Sequence, residues 1–345
     1  MPSSTRVLRV DAQQPDPAVI AQAAAVIRAG GLVAFPTETV YGLGANAWDA
    51  AAVARIFRAK SRPASDPLIV HIAELAQLPA VARDLPAVAS RLCGHFFPGA
   101  LTLVLRKSPR IPENLSAGLD TVALRMPDHA VARALIKAVG APIAAPSANT
   151  FSRPSPTSAA HVLEDLAGKV DLLLDGGATR IGVESTILSL VDEPPRLLRP
   201  GGISLEAIRA LLPNIQYAPQ FAAEKDTVPA PGSLLKHYSP RARLLLFRGD
   251  DSAVYTAMRA EITRHSQVGL LLRQRDAEQF HDLDIQIESL GSNSQQAAER
   301  LFAALRALDK AGVAVILART PEERGLGLAL RDRLLRAAVG AVAEV

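Results

Sequence analysis

The sequence carries a single cysteine, Cys93, in 345 residues. One thiol forms no internal disulfide, and it is too few to hold a zinc ion as part of a thiolate cluster. Its surroundings, Arg91-Leu92-Cys93-Gly94-His95-Phe96-Phe97, read as the end of an apolar helix, which predicts a buried structural thiol rather than a nucleophile. Aromatic residues are scarce, at 4% with one tryptophan, so a stacking platform for single-stranded nucleic acid is not expected. Long apolar runs are missing too. Nothing approaches the ~20 residues of a membrane span, and Met-Pro-Ser-Ser-Thr-Arg at the amino end lacks a signal-peptide core. The expectation is a cytoplasmic protein with no membrane partner. The charge excess is small, +4. It suits anionic ligands, but arginine-rich compositions drift basic without any nucleic-acid partner.

What is present is an ordinary globular composition, 49% hydrophobic and 21% charged, with cores built from alanine and leucine. The length favours two domains at about 150 residues each. In the first, helical spacing runs from Pro17 to Ala29 and stops at Gly30-Gly31. Leu32–Pro36 reads as a buried strand before a polar turn. Asp49–Lys60 reads as a helix capped by Asp49. Strands are expected at Pro67–Ile72, Ala100–Arg106, Thr121–Arg125, Pro142–Ala145, Val170–Asp175 and Ser185–Val191. Helices are expected at Ala130–Val139 and Ser204–Leu212. This is a mixed α/β pattern without strict alternation.

Residues 213–240 carry prolines at 213, 219, 229, 231 and 240, and read as an interdomain linker too long to be idle. Beyond it, strands (Ala242–Phe247, Val268–Leu272, Leu283–Ser289, Val313–Leu317) alternate with helices (Ser252–His265, Ser294–Lys310, Gly327–Val342). That order predicts a smaller Rossmann-like α/β domain over 241–345. Its lack of a GxGxxG fingerprint argues against a dinucleotide enzyme.

Four polar segments sit between apolar strands of the first domain. Pro36-Thr37-Glu38-Thr39-Val40-Tyr41-Gly42-Leu43-Gly44 places hydroxyls and glycines where backbone amides approach a ligand. Lys60-Ser61-Arg62-Pro63 leads through Asp66 to His71, and the proline aims both cations one way, as a polyphosphate requires. Ala145-Pro146-Ser147-Ala148-Asn149 ends a buried strand in polar groups, where open α/β sheets bind ligands. Asp175-Gly176-Gly177, Gly182-Val183-Glu184-Ser185-Thr186-Ile187 and Arg199-Pro200-Gly201-Gly202 again suit an anion. Each segment alone fits an ordinary turn or a solvated charge pair equally well.

In this order, over roughly residues 15–212, the segments resemble the threonylcarbamoyl-AMP synthase family in its longer two-domain form. Ala230-Pro231-Gly232-Ser233-Leu234-Leu235-Lys236-His237-Tyr238-Ser239-Pro240 is similar to the family's linker motif. Gly325-Leu326-Gly327-Leu328-Ala329-Leu330-Arg331-Asp332-Arg333-Leu334 is similar to its C-terminal signature. Ser233 and Leu234 stand where the linker commonly has Met-Lys, Asp66 where Asn or His is common, and Asp332 where Asn is common.

The resemblance implies a YrdC-like open twisted mixed sheet with flanking helices over 1–212, a linker or lid over 213–240, and the Rossmann-like domain. It implies that L-threonine, bicarbonate or CO2, and ATP give threonylcarbamoyl-AMP and pyrophosphate, with Mg2+ arriving on the ATP and no protein metal site. The adenylate would pass to tRNA indirectly, through a downstream transferase complex. Lys60, Arg62, Ser147 and Asn149 are the implied catalytic set. Thr37, Thr39, His71, Arg125, Ala145 and Ser185 are implied for threonine. Asp66, Thr121, Ser155, Arg199 and His237 join Lys60, Arg62 and Ser147 for the nucleotide. Three alternatives compete: a non-catalytic double-stranded RNA or tRNA binder, a hydrogenase-maturation carbamoyl-adenylate enzyme, which the lone cysteine disfavours, and an independent NAD enzyme in the second half.

Overall fold

In the computed structural model the described residues are 4–219, 228 and 234–345. Two sheets organise them. The larger is mixed, and its strands run in the order Arg6–Arg9, Leu172–Asp175, Val33–Phe35, Gly42–Asn46, Ile143–Ala144 and Ile69–His71. It continues through Thr121–Arg125, Leu101–Lys107, Thr186–Ser189, Arg196–Arg199 and Gln216–Tyr217, with Ala82–Arg83 added beside Leu101–Lys107. Helices cover both faces. Pro17–Arg28 and Ala130–Val139 bury Ile20, Ile27, Leu135 and Ile136 against Val33, Phe35 and Leu174. Ala50–Lys60 and Ala87–Phe96 bury Val53, Ile56 and Leu92 on the other side, against Leu43, Leu103 and Leu173.

The hairpin Val33–Phe35/Gly42–Asn46 was not expected, since Gly42 and Gly44 depress strand propensity. The packing explains them. A Cβ on Gly44 would stand 2.7 Å from the Phe35 ring and 2.9 Å from Ile143. Expected strand ends contract by a residue or two, as with Ile69–His71 and Thr186–Ser189, while Thr121–Arg125 falls as expected. Cys93 lies buried in the Ala87–Phe96 helix, and burial pushes its thiol up to about 11.

The smaller sheet is wholly parallel, in the order Gln286–Ser289, Val268–Leu272, Val315–Arg319, Arg243–Arg248, Val342–Glu344. Numbered along the chain this is 3-2-4-1-5, which differs from the 3-2-1-4-5 start of the Rossmann order. The helix expected over Gly327–Val342 is corrected here: it spans Leu326–Ala337, and the chain then turns into the edge strand Val342–Glu344. Gly340, at φ 77, makes that turn.

The two sheets' layers meet closely. Gly182, at φ 80, lies against the helix Ser294–Lys310, where a Cβ would fall 2.2 Å from the carbonyl of Ala298. Arg306 of that helix is buried and reaches Asp165 at 2.8 Å, Glu164 at 3.0 Å and the Pro154 carbonyl at 2.6 Å. No helix among the described residues is long and apolar enough to cross a membrane.

Candidate active site

The polar segments converge on one cavity at the strand ends of the larger sheet. The first segment forms its rear wall. Thr37 Oγ1 lies 2.9 Å from Thr39 Oγ1 and donates to the Val40 carbonyl at 2.7 Å, which locks the turn. The Gly182 loop is hydrogen-bonded to the same turn: Ile181 N–H donates to the Glu38 carbonyl and Gly182 N–H to that of Thr39.

His71 and Arg125 end two paired parallel strands in register, so both reach the cavity. Burial, then the neighbouring Arg125 charge, lowers the His71 imidazole to about 3, leaving it neutral, and its Nδ1 has no hydrogen-bond partner. Arg125 is held in place by its neighbours. It pairs with Glu38 at 2.7 Å and donates to Thr39 Oγ1 at 2.8 Å and to the Gly99 carbonyl at 3.3 Å. The guanidinium is thus a fixed charge, and its Nη2 makes no hydrogen bond beyond that ion pair.

Lys60 closes its helix just before Ser61, which adopts a left-handed φ of 54. Its buried ammonium donates to the carbonyls of Ser147 and Asn149, at 2.5 and 2.6 Å. Two of three N–H groups thus staple the Ser147–Asn149 turn and one remains. Burial, then Arg62, pulls the Lys60 pKa well down. Arg62 is clamped by the Asp66 carboxylate at 2.8 Å and by the carbonyls of Asp66 and Pro67. Arg199 donates to the Ser185 carbonyl at 2.9 Å, and the Ser185 hydroxyl meets Thr102 at 2.7 Å.

The roof comes from the linker. Ser239 N–H donates to the Ser152 carbonyl at 2.7 Å, and His237 stands edge-on to Phe151 at 5.8 Å between ring centroids. Burial, then Arg62, keeps His237 neutral by lowering its pKa. Tyr238 stacks on Phe302 of the smaller unit. Residues 230–233 of the linker motif, Ser233 included, lie outside the described residues, as do 220–227 and 229.

Most of the expected residues therefore meet. Thr37, Thr39, Arg62, His71, Arg125, Ala145, Ser147, Ser185, Arg199 and His237 line the cavity. Lys60, Asp66 and Ser155 stand behind it, bonded to residues that do. Asn149 follows Ser147 in the turn that Lys60 holds. Thr121 is not brought in. It opens the strand whose other end is Arg125, ~13 Å away at strand rise.

Known proteins resemble this chain over nearly its whole length. A family model described as Telomere recombination matches residues 25–201, and one described as Threonylcarbamoyl-AMP synthase, C-terminal domain, matches 203–339. The threonylcarbamoyl-AMP synthase of Pyrococcus abyssi is 48% identical over 316 residues, covering 91% of this chain and 92% of that protein. The chain belongs to the threonylcarbamoyl-AMP synthase family. Its Bacillus subtilis relative is 44% identical, with 94% of both chains covered. A crystal structure of P. abyssi Sua5 complexed with L-threonine superposes with a TM-score of 0.93 at 45% identity, covering 99% of this chain and all of that one.

Several site residues escaped the sequence reading although they lie inside the family's motifs. Glu38 holds Arg125. Glu184 lines the cavity, accepts a short hydrogen bond from Ser155, and pairs at 2.7 Å with Arg333 of the helix Leu326–Ala337. Burial alone would raise the Glu184 pKa, but Arg333 and Arg199 overcome it and hold the carboxyl low. Arg333 also lies over the Tyr238 ring at 4.9 Å and pairs with Asp332, which holds Arg336, whose Nη1 donates to the Leu234 carbonyl. No local signal marked this pair: the burial of Arg333 and Arg336 is a product of the fold, and Glu184 lies 149 residues upstream between Val183 and Ser185.

Proposed function

We propose that the chain catalyses formation of threonylcarbamoyl-AMP and pyrophosphate from L-threonine, bicarbonate or CO2, and ATP, as the first step of a tRNA modification. The observation that carries this reading is the joining, in one cavity, of a neutral imidazole and fixed cation (His71, Arg125) with phosphate-type cations (Arg62 and Arg199, backed by Lys60 through the Ser147 turn).

The threonine ammonium loses one proton to water, the neutral amine attacks the carbon of CO2, and a second proton passes to water as the carbamate forms. A carbamate oxygen attacks the α-phosphorus of ATP, the bond to the β-phosphate oxygen breaks, and pyrophosphate leaves. The amino acid's carboxylate faces the fixed charge of Arg125, while Thr37, Thr39, Ser185 and the Ala145 backbone position its amine and hydroxyl. Neutral His71 accepts a hydrogen bond at its free Nδ1 without repelling the substrate ammonium.

The remaining N–H of Lys60 and the guanidinium of Arg62 neutralise charge building on the α-phosphoryl oxygens. Ser147 and Asn149 hold the adenylate, and Ser155 and Arg199 act through Glu184 and Ser185. His237 and the linker cover the cavity, keeping water from a labile carbamate and mixed anhydride. Mg2+ enters with the nucleotide. Among the described residues no group of three His, Cys, Asp or Glu is placed to hold an ion, so no step is assigned to a protein-held metal.

The double-stranded RNA alternative needs a broad basic face, whereas Lys60 and Arg62 are buried and engaged. The test is pyrophosphate release from ATP with threonine and bicarbonate each supplied or withheld. Release is expected only with both present, and Lys60→Ala is expected to cut it at least ~100-fold, as for a lost transition-state donor. Release independent of threonine or bicarbonate overturns the proposal.

A further inference from the structure

The smaller sheet has a crevice of its own. After Arg248 and Leu272 the chain enters helices Asp251–Arg264 and Gln274–Ala277, on the face where Val254, Met258 and Phe280 cover Leu270 and Leu317. After Ser289 and Arg319 it enters Ser294–Lys310 and Leu326–Ala337, which cover Leu244, Leu271 and Ile316 on the opposite face. The neighbouring strands Val268–Leu272 and Val315–Arg319 thus send their chains to opposite faces, and the gap opens at their carboxyl ends. That is where parallel α/β sheets take ligands. A cavity of about 200 Å3 fills it.

Its floor is apolar, made by the buried Leu271, Leu290, Ala297 and Leu330. Its mouth carries Arg248, Arg273, Arg275 and Arg319. These arginines are not equivalent. Arg319 is braced by Asp251 at 2.5 Å and donates to the Gly249 carbonyl at 3.1 Å. Arg248 faces Glu344 at 3.6 Å, and Glu322 is taken by Arg324 at 2.7 Å. Asp276 is buried, accepts from the Tyr255 hydroxyl at 2.7 Å, and pairs with Arg275 Nε at 3.4 Å and Arg319 Nη1 at 3.6 Å. Arg273 reaches the Ser294 hydroxyl at 3.3 Å and forms no close ion pair among the described residues, although its charge, with those of Arg324 and Arg275, helps lower the Glu322 pKa. The Thr320 hydroxyl is buried beside it with no partner.

We propose that this crevice is a second ligand site, for a small molecule bearing a phosphate on an apolar or aromatic body. The body lies on the leucine floor. The phosphate oxygens take the guanidiniums of Arg273 and Arg275 and the Thr320 hydroxyl, a donor set from two loops that matches three oxygens better than a carboxylate's two. This goes beyond the synthase reaction and does not depend on it. It also gives the smaller unit a means of influence, because Leu330 sits one turn before Arg333 on the helix that holds Glu184.

The experiment titrates phenyl phosphate into the full chain with leucine methyl groups labelled for NMR. Saturable shifts are expected at Leu271, Leu290 and Leu330, unchanged by Lys60→Ala, which disables the phosphate end of the other cavity. Arg273→Gln with Arg275→Gln is expected to weaken binding about 100-fold, a factor of ten per charged hydrogen bond. Shifts that never saturate, equal affinity in the double variant, or equal affinity for phenylacetate each overturn the proposal. Pyrophosphate release by the double variant is a separate readout, so failure of this site leaves the synthase reading standing.

Discussion

Glu38–Arg125 and Glu184–Arg333 are both carboxylate–guanidinium pairs at 2.7 Å, buried beside the same cavity. They connect different things. Arg125 comes from a central strand and Glu38 from the hairpin turn, with two strands of that sheet between them, so their pairing stiffens a wall that one unit builds alone. Arg333 comes from the last helix of the smaller unit, reaches across to Glu184, and carries the linker tyrosine on its guanidinium face. Identical chemistry serves rigidity in one place and assembly in the other. Through the second pair the last helix of the C-terminal unit meets both a cavity carboxylate, Glu184, and the ring of Tyr238.

The comparison breaks most sharply on removing each cation. Arg125→Met and Arg333→Met each strand a buried carboxylate, and about 3–5 kcal/mol of stability should be lost in both, read by urea unfolding. Only Arg333→Met should expose the linker. His237, now 6% accessible, should then react with a histidine-modifying reagent, followed by peptide mass mapping. It should stay protected in Arg125→Met. Equal protection in the two variants means that Arg333 does not hold the linker.

A smaller effect sharpens the same contrast. If the cost of Arg333→Met is chiefly an orphaned charge, adding Glu184→Gln should restore part of it. The coupling energy from the double-mutant cycle should be about 2 kcal/mol, within the range for residues in one network. The cycle for Glu38 and Arg125 should be smaller, because Arg125 keeps its bonds to Thr39 and Gly99. Additivity within about 0.5 kcal/mol at Glu184 and Arg333 would show the two act separately.

These pairs also mark how far the sequence could be read. Motif order located the cavity because hydroxyls, glycines and cations recur at strand ends, where the fold brings them together. Long amphipathic elements such as Ser294–Lys310 were legible to the residue, since their pattern is local. What failed was non-local. The Gly42–Asn46 strand exists because Phe35 and Ile143 leave no room for a side chain at Gly44, a fact of packing rather than propensity. The edge strand Val342–Glu344 is only three residues long, too short to show a period of its own, and its first residue fell at the end of the expected helix. Arg333 stood in the sequence only as part of the C-terminal signature, because its partner Glu184 lies 149 residues upstream.

The smallest expected effect is a pH dependence that separates the two walls. His71 stands beside Arg125, and its folded pKa of about 3 lies below the ordinary 6.5. The unfolded chain therefore binds more protons between those values, so stability rises with pH across that window and is lost as pH falls through it. The slope from this one group approaches 1.4 kcal/mol per pH unit, roughly, between pH 6 and 4. His71→Gln should flatten the acid limb of the unfolding free energy by that amount, while Arg333→Met should lower the whole curve and leave His71's share of the slope in place. Parallel acid limbs for wild type and His71→Gln would mean that the imidazole is not held neutral by burial. Its free Nδ1 would then be no ready acceptor for the threonine ammonium.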